Sequence, residues 1–278
     1  MLAAFRIFFG GVVFVAIVLI GFDRDYLFLH DGFLSEQARD IIASHPSMGY
    51  VPGSRAGLYS AFALVLLAAF FMWFGFFTRV SALVTFLGLV SFQTANQAAF
   101  WSADDGIMRA FCLFLCFSKS DTKWSLMAVF RKKFSPQQSR KLTRVLTLEF
   151  LPPLGLRLIQ VQLVLVYSVN FVAKMTSPEW RNGTALFYVS RFSEYQRFPV
   201  PLVFDHLLTI QIMTYASLAI ELLLAAYFLL PARAQKVVFV AGIGFHAIMD
   251  YCLNIPFFQW LMISGLITFW PFRDGKKL

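Results

Sequence analysis

Charge is scarce in this chain. Asp, Glu, Lys and Arg together make up 14% of its 278 residues, against roughly a quarter in soluble domains. That shortage excludes an ordinary soluble domain. Cysteine is scarce as well: Cys112, Cys116 and Cys252 are the only three. Cys112 and Cys116 lie one helical turn apart, which suits packing better than a disulfide. No metal-type spacing of Cys occurs; His246-x-x-x-Asp250 has the spacing of two metal ligands on a helix, but it is a lone pair with no repeated His-x-x-x-His, so a metal centre is not expected. Internal repeats and low-complexity tracts are missing too. The first apolar run lacks a basic leader and a small-residue cleavage motif, and Arg6 sits inside it. It therefore reads as a retained helix, not a signal peptide.

Apolar residues are plentiful, at 59%, with 34 Phe among them, and the mean hydropathy is +0.68. Apolar runs of about 20 residues recur, the length that crosses a bilayer core. The pattern predicts an all-α, polytopic transmembrane bundle of about eight spans. These are about 2–22, 56–77, 80–100, 104–119, 154–174, 207–230, 234–252 and 256–270. One domain is expected over 1–278, with no soluble C-terminal domain. A basic loop at about 119–153 carries Lys119, Lys123, Arg131, Lys132, Lys133, Arg140, Lys141 and Arg144. Such a loop belongs on the cytoplasmic side. Alternation then places Arg79, Arg233 and the Arg273–Lys277 tail inside, and Asp23, Asp25, Asp31, Glu36, Asp40, Glu179 and Glu194 outside. Both termini come out cytoplasmic. The net charge of +9 is thus a topology signal and an attraction to anionic lipid, not a nucleic-acid signature. The expected location is a bacterial inner membrane, with the lipid bilayer as first partner.

Polar side chains at membrane depth are the default functional candidates. On the fifth span, Gln160, Tyr167, Asn170 and Lys174 follow one another at seven, three and four residues, which keeps them on one helical face. Lys174 ends that span at the outer surface. Burial favours a neutral lysine, which is a strong base. Elsewhere stand Gln93, Asn96 and Gln97 on span three, Glu221 on span six, and Gly242, His246 and Asp250 on span seven. Each has a plain structural alternative, since amides and hydroxyls also bind membrane helices together. Asp105 and Arg109 stand one turn apart and read as a structural ion pair. Lys174 could equally snorkel to the interface. After Lys174, Pro178 breaks the helix and Trp180 suits an interfacial aromatic belt. Thr184–Arg191 reads as a short amphipathic helix, a candidate lid over Lys174.

An ordered set of short elements carries a family resemblance. It runs through Phe5-Arg6-Ile7, Asp31-Gly32, Gly75-Phe76-Phe77-Thr78-Arg79, Asn96, Asp104-Asp105 with Arg109, and Trp124-Ser125-Leu126. It continues with Lys174-Met175, Trp180-x-x-Gly183-Thr184, Glu221-Leu222, Phe245-His246 and Asn254-x-Pro256. The set resembles the horizontally transferred transmembrane family, related to the membrane domain of vitamin K-dependent gamma-carboxylases. The resemblance implies a quinone-linked enzyme in which Lys174 is the base, and it names a reduced quinone as candidate cofactor. It further implies carboxylase-like addition of carbon dioxide to a secreted or membrane peptide. Asn96, Tyr167, Asn170, Trp180, Glu221 and His246 are the candidate substrate- or quinone-binding residues. The chain departs from the carboxylases in two ways. Their paired lysines correspond to Ala173-Lys174 here, and the lysine-to-Trp spacing differs by one residue.

Two readings follow. One is an enzyme with an outward-facing lysine base. The other is a non-catalytic membrane scaffold, partner or small-molecule binder on the same bundle. A transporter, which would show repeats and broken helices, fits less well. The surroundings of Lys174 separate the first two: a cavity there favours chemistry, and bulk water favours the scaffold. The substrate, the quinone and the oligomeric state are not legible.

Overall fold

The structure is a computed structural model that describes residues 1–29, 32, 51–133, 154–199 and 202–270. The expected outer acids Asp31, Glu36 and Asp40, the basic loop beyond Lys133 and the basic tail lie outside the described residues. Helices dominate the rest. In chain order they are α1 (Leu2–Phe22), α2 (Arg24–Phe28), α3 (Arg55–Phe74), α4 (Thr78–Ala95), α5 (Ala103–Cys116) and α6 (Leu126–Lys133). Then come α7 (Leu154–Thr176), α8 (Pro178–Arg181), α9 (Ala185–Arg191), α10 (Leu207–Ala225), α11 (Ala232–Cys252) and α12 (Phe258–Leu266). Among the described residues β pairing is confined to one isolated bridge, between Gln196 and Leu253. Among the described residues four helices are long and apolar enough to cross a membrane: α1, α3, α7 and α10.

The chain divides into two compact units, Met1–Leu158 and Ile159–Leu278. In the first, α1 packs on α3, α3 on α4 and α4 on α5. The buried side of α1 is a stripe of Phe5, Arg6, Phe9, Gly10, Val13 and Ile17, the recurrence at three and four residues that a helix requires. Small residues set the spacing, as they do between helices in lipid. A Cβ on Gly10 would stand 2.8 Å from the Trp73 Cα, so α1 and α3 meet backbone to backbone. Phe5 stacks on Phe9 at 5.2 Å between ring centres, and Phe62 on Phe92 at 4.1 Å. Helix α3 ends at Gly75, whose φ of 74° suits a residue without a Cβ.

In the second unit α11 packs against both α10 and α12, and α9 against α10. Pro178 opens α8 and Pro231 precedes α11, positions where a missing N–H costs nothing. Tyr227 anchors the far end of this unit, donating to the Phe269 carbonyl at 2.6 Å.

Helix ends correct several expected boundaries. The third run stops at Ala95, not at 100, because Asn96 leaves the helical region at φ −138°, ψ 72°. Asn96 is buried in the first unit. Its Nδ2 donates to the Leu27 carbonyl at 2.9 Å, and its Oδ1 accepts from the Ala99 N–H at 3.2 Å. Gln97 therefore falls in an exposed turn, not on a helix face. The Asp105 carboxylate is not spent on Arg109 either, and no ion pair joins the two. One oxygen accepts from Gln93 Nε2 at 2.9 Å. The other accepts from the Ser102 N–H at 3.1 Å, the reach-back half of a helix-start capping box. An unsatisfied helix start and a buried amide outbid a pair one turn away.

Candidate functional site

The site is built in the second unit from α7, α10 and α11. Lys174 is in the last turn of α7, and Glu221 sits on the buried face of α10 with Ser217 and Thr214. Lys174 Nζ donates to Glu221 Oε1 at 2.5 Å. The two side chains are 25% and 7% exposed, so the pair is largely out of contact with solvent. A lone charge at this depth is costly, and each residue supplies the counter-charge of the other. Glu221 Oε2 is buried with no partner. The Trp180 ring lies under the ammonium, 4.3 Å from Nζ to the ring centre, a cation–π contact.

Trp180 is fixed by a short turn. Gly183, at φ 74°, packs so closely on Tyr215 that a Cβ would lie 2.9 Å from its ring, and Tyr215 donates to the Arg181 carbonyl at 2.9 Å. The neighbouring Glu179 is exposed. The Ser177 hydroxyl donates to its carboxylate and holds its pKa below the ordinary value.

Lys174 and Trp180 form one end of a cavity of about 790 Å3. Its walls are apolar: Leu186 and Val189 from α9, Met213 and Ile220 from α10, and Ala241 and Ile248 from α11. Gly244 contributes open space, since a Cβ there would meet nothing within 4 Å. Tyr188 and Phe192, both exposed, stand at the rim. The short helix expected over Thr184–Arg191 is thus α9, and it forms a wall of the cavity that Lys174 enters. The Leu186 N–H donates to Thr214 Oγ1 at 3.3 Å, and Asn254 N donates to the Tyr195 carbonyl at 2.8 Å. Both bonds tie that wall to the helices behind it.

Behind the pair lies a second polar group. His246 is 2% exposed. Its Nδ1 is 2.6 Å from Gln259 Oε1, and its Nε2 is 2.8 Å from the Tyr167 hydroxyl. An amide oxygen only accepts, so Nδ1 carries the proton and Nε2 accepts from Tyr167. The ring is neutral in this arrangement.

A model of the HTTM domain matches residues 1–273. The chain belongs to the HTTM domain family. Comparison with curated proteins and with solved structures gave no match.

Within this HTTM chain the sequence-derived candidates separate. Lys174 and Trp180 line the cavity, Glu221 pairs with Lys174 without lining it, and Tyr167 and His246 meet each other. Asn96 is engaged within the first unit, as described above. Asn170 is exposed and does not border the cavity. It sits about 60° round the helix from Tyr167, enough to leave the buried face. Gln160 is buried and donates to the Thr268 carbonyl at 2.7 Å, a bond between α7 and the end of α12. The sequence reading missed Gln259. An amide inside the apolar Pro256–Leu261 run was the available signal. Among the described residues no group of three His, Cys, Asp or Glu side chains could hold a metal ion.

Proposed function

We propose that this HTTM protein is a multi-pass protein of about eight spans with both termini cytoplasmic, and that its second unit is a membrane enzyme centre for a lipophilic ligand. One observation carries the reading: Lys174, held by its pair with Glu221, lines a largely apolar cavity of about 790 Å3. That size is usual for small-molecule sites, and the apolar walls suit a ligand drawn from lipid. A reduced quinone, the cofactor implied by the resemblance, fits such walls and such a polar end. When bound it supplies an ionisable hydroxyl and two reducing equivalents.

The chain's own residues move the proton. The Lys174 ammonium first passes a proton to Glu221 Oε1, with which it is already in hydrogen-bond contact. The free amine then accepts a proton from a hydroxyl placed at the polar end, leaving a deprotonated oxygen, the ammonium and a protonated Glu221. The amine–carboxylate contact is therefore a two-member relay, with the unpartnered Oε2 as its far terminus. Trp180 covers the ammonium and keeps water off it. The face carrying Lys174 is extracytoplasmic in this topology. A secreted peptide is then the substrate implied by the resemblance.

Mass spectrometry of the organic extract from detergent-purified protein tests the reading. A single lipophilic species retained in near-stoichiometric amount supports it. An extract holding only bulk membrane lipid would return the bundle to a scaffold.

A further inference from the structure

The first unit carries a second set of charges that the proposed chemistry does not use. Its helices bring the start of α1, the end of α3, the start of α4 and the end of α5 to one end. There Arg6 is 0% exposed. It donates from Nη1 to the Ser120 carbonyl at 2.7 Å and from Nη2 to the Trp124 carbonyl. Its guanidinium presses on Gly75, where a Cβ would collide with Nη1. Arg79 donates from Nε to the Ser118 carbonyl at 3.1 Å. One short loop, Ser118 to Trp124, therefore holds both guanidinium groups by its carbonyls. Among the described residues no carboxylate forms an ion pair with either.

Four hydrogen-bonding groups at this end remain unspent. Arg6 Nε, Arg79 Nη1, Thr78 Oγ1 and Ser120 Oγ are all buried without a partner. Thr78 and Ser120 are 1% and 0% exposed. Buried donors left without a partner are costly, and four among the residues at this end of the unit call for an explanation. Thr78 is also the first residue of α4, an 18-residue helix whose N-terminus has no side-chain cap. That end carries positive partial charge and free N–H groups. Two buried guanidinium groups, unspent donors and an uncapped helix start all ask for the same ligand.

We infer that this end of the first unit, formed by Arg6, Thr78, Arg79 and Ser120, binds a phosphate group. Two guanidinium N–H groups and two hydroxyls match the acceptor oxygens of a phosphate. The source is either a lipid headgroup or free phosphate. The site lies apart from the Lys174 cavity in the chain and does not depend on its chemistry.

The test uses the full chain in neutral detergent and follows thermal unfolding. The probes are inorganic phosphate, dioleoyl phosphatidic acid and dioleoylglycerol. Phosphatidic acid should raise the unfolding temperature and dioleoylglycerol should not. A rise with inorganic phosphate as well identifies free phosphate as sufficient; a rise with phosphatidic acid alone identifies a lipid headgroup. Arg79→Gln should weaken binding by about tenfold to a hundredfold, and Thr78→Val should weaken it while keeping the side-chain shape. Lys123→Gln, at an exposed position on the same loop, should leave it unchanged. No stabilisation by either phosphate probe overturns the inference. So does equal stabilisation by dioleoylglycerol, an Arg79→Gln protein that binds like wild type, or an equal loss in Lys123→Gln.

Discussion

Lys174 and Glu221 meet at 2.5 Å although 47 residues separate them, and each is the other's counter-charge. Removing one member alone therefore strands the other. Lys174→Met should cost on the order of 3 kcal/mol, the usual penalty for breaking a largely buried pair. Lys174→Met combined with Glu221→Leu should regain most of that stability and none of the activity. Lys174→Arg should keep the pair and the fold but lose activity, because Arg does not give up its proton. Thermal unfolding beside a ligand-turnover assay reads all three. An active Arg variant would remove Lys174 from proton transfer.

The Tyr167–His246–Gln259 group predicts a tautomer. Nitrogen NMR of the labelled His246 ring should show the proton on Nδ1. Tyr167→Phe should cost about 1–2 kcal/mol, since it leaves Nε2 buried without a donor. A ring protonated on Nε2 would mean that the Gln259 amide is reversed and Tyr167 accepts.

Much of this was legible in the sequence, for a physical reason. Membrane depth punishes every unpaired polar group, so Lys174, Glu221 and His246 stood out against apolar runs. The α1 helix covers the expected 2–22 because the run is apolar but for Arg6, and its Gly10 and Gly11 serve the close approach of Trp73 instead of a turn. What failed was local competition. Asn96 looked like a helix-face amide, yet it spends one end of its side chain on the Leu27 carbonyl and the other on the turn after α4. Asp105 looked like a partner for Arg109, yet the helix start claimed it. Asn170 satisfied the spacing loosely and fell outside the buried arc. Pairing across distant segments, such as Lys174 with Glu221, leaves no periodic trace. Glu221 and Lys174 were each legible, but their contact was not.

Gly244 offers a test of the cavity that spares the ion pair. Its missing Cβ faces open space, so Gly244→Leu should fill volume without a clash. It should also stabilise α11 slightly, by up to about 1 kcal/mol, because Gly is a poor helix residue. The expected result is a protein that unfolds no earlier than wild type and retains less of its lipophilic ligand. Ligand retention equal to wild type would show that the ligand occupies some other surface.

The topology proposal is tested with single cysteines placed at Lys123 and Glu194. Both positions are exposed, so reagent access should depend on the side of the membrane and not on burial. Lys123 follows α5 in the basic loop, and basic loops stay cytoplasmic. Glu194 follows α9, beyond the end of α7 that carries Lys174. Eight spans with both termini inside put these two positions on opposite sides. Cys252 is exposed and must first become Ser, or its own thiol will report. With intact spheroplasts and a membrane-impermeant maleimide, Glu194→Cys should label at once and Lys123→Cys only after lysis. Labelling of both before lysis would break the alternation that runs from one to the other. It would also remove the reason for placing the Lys174 cavity on the outer face.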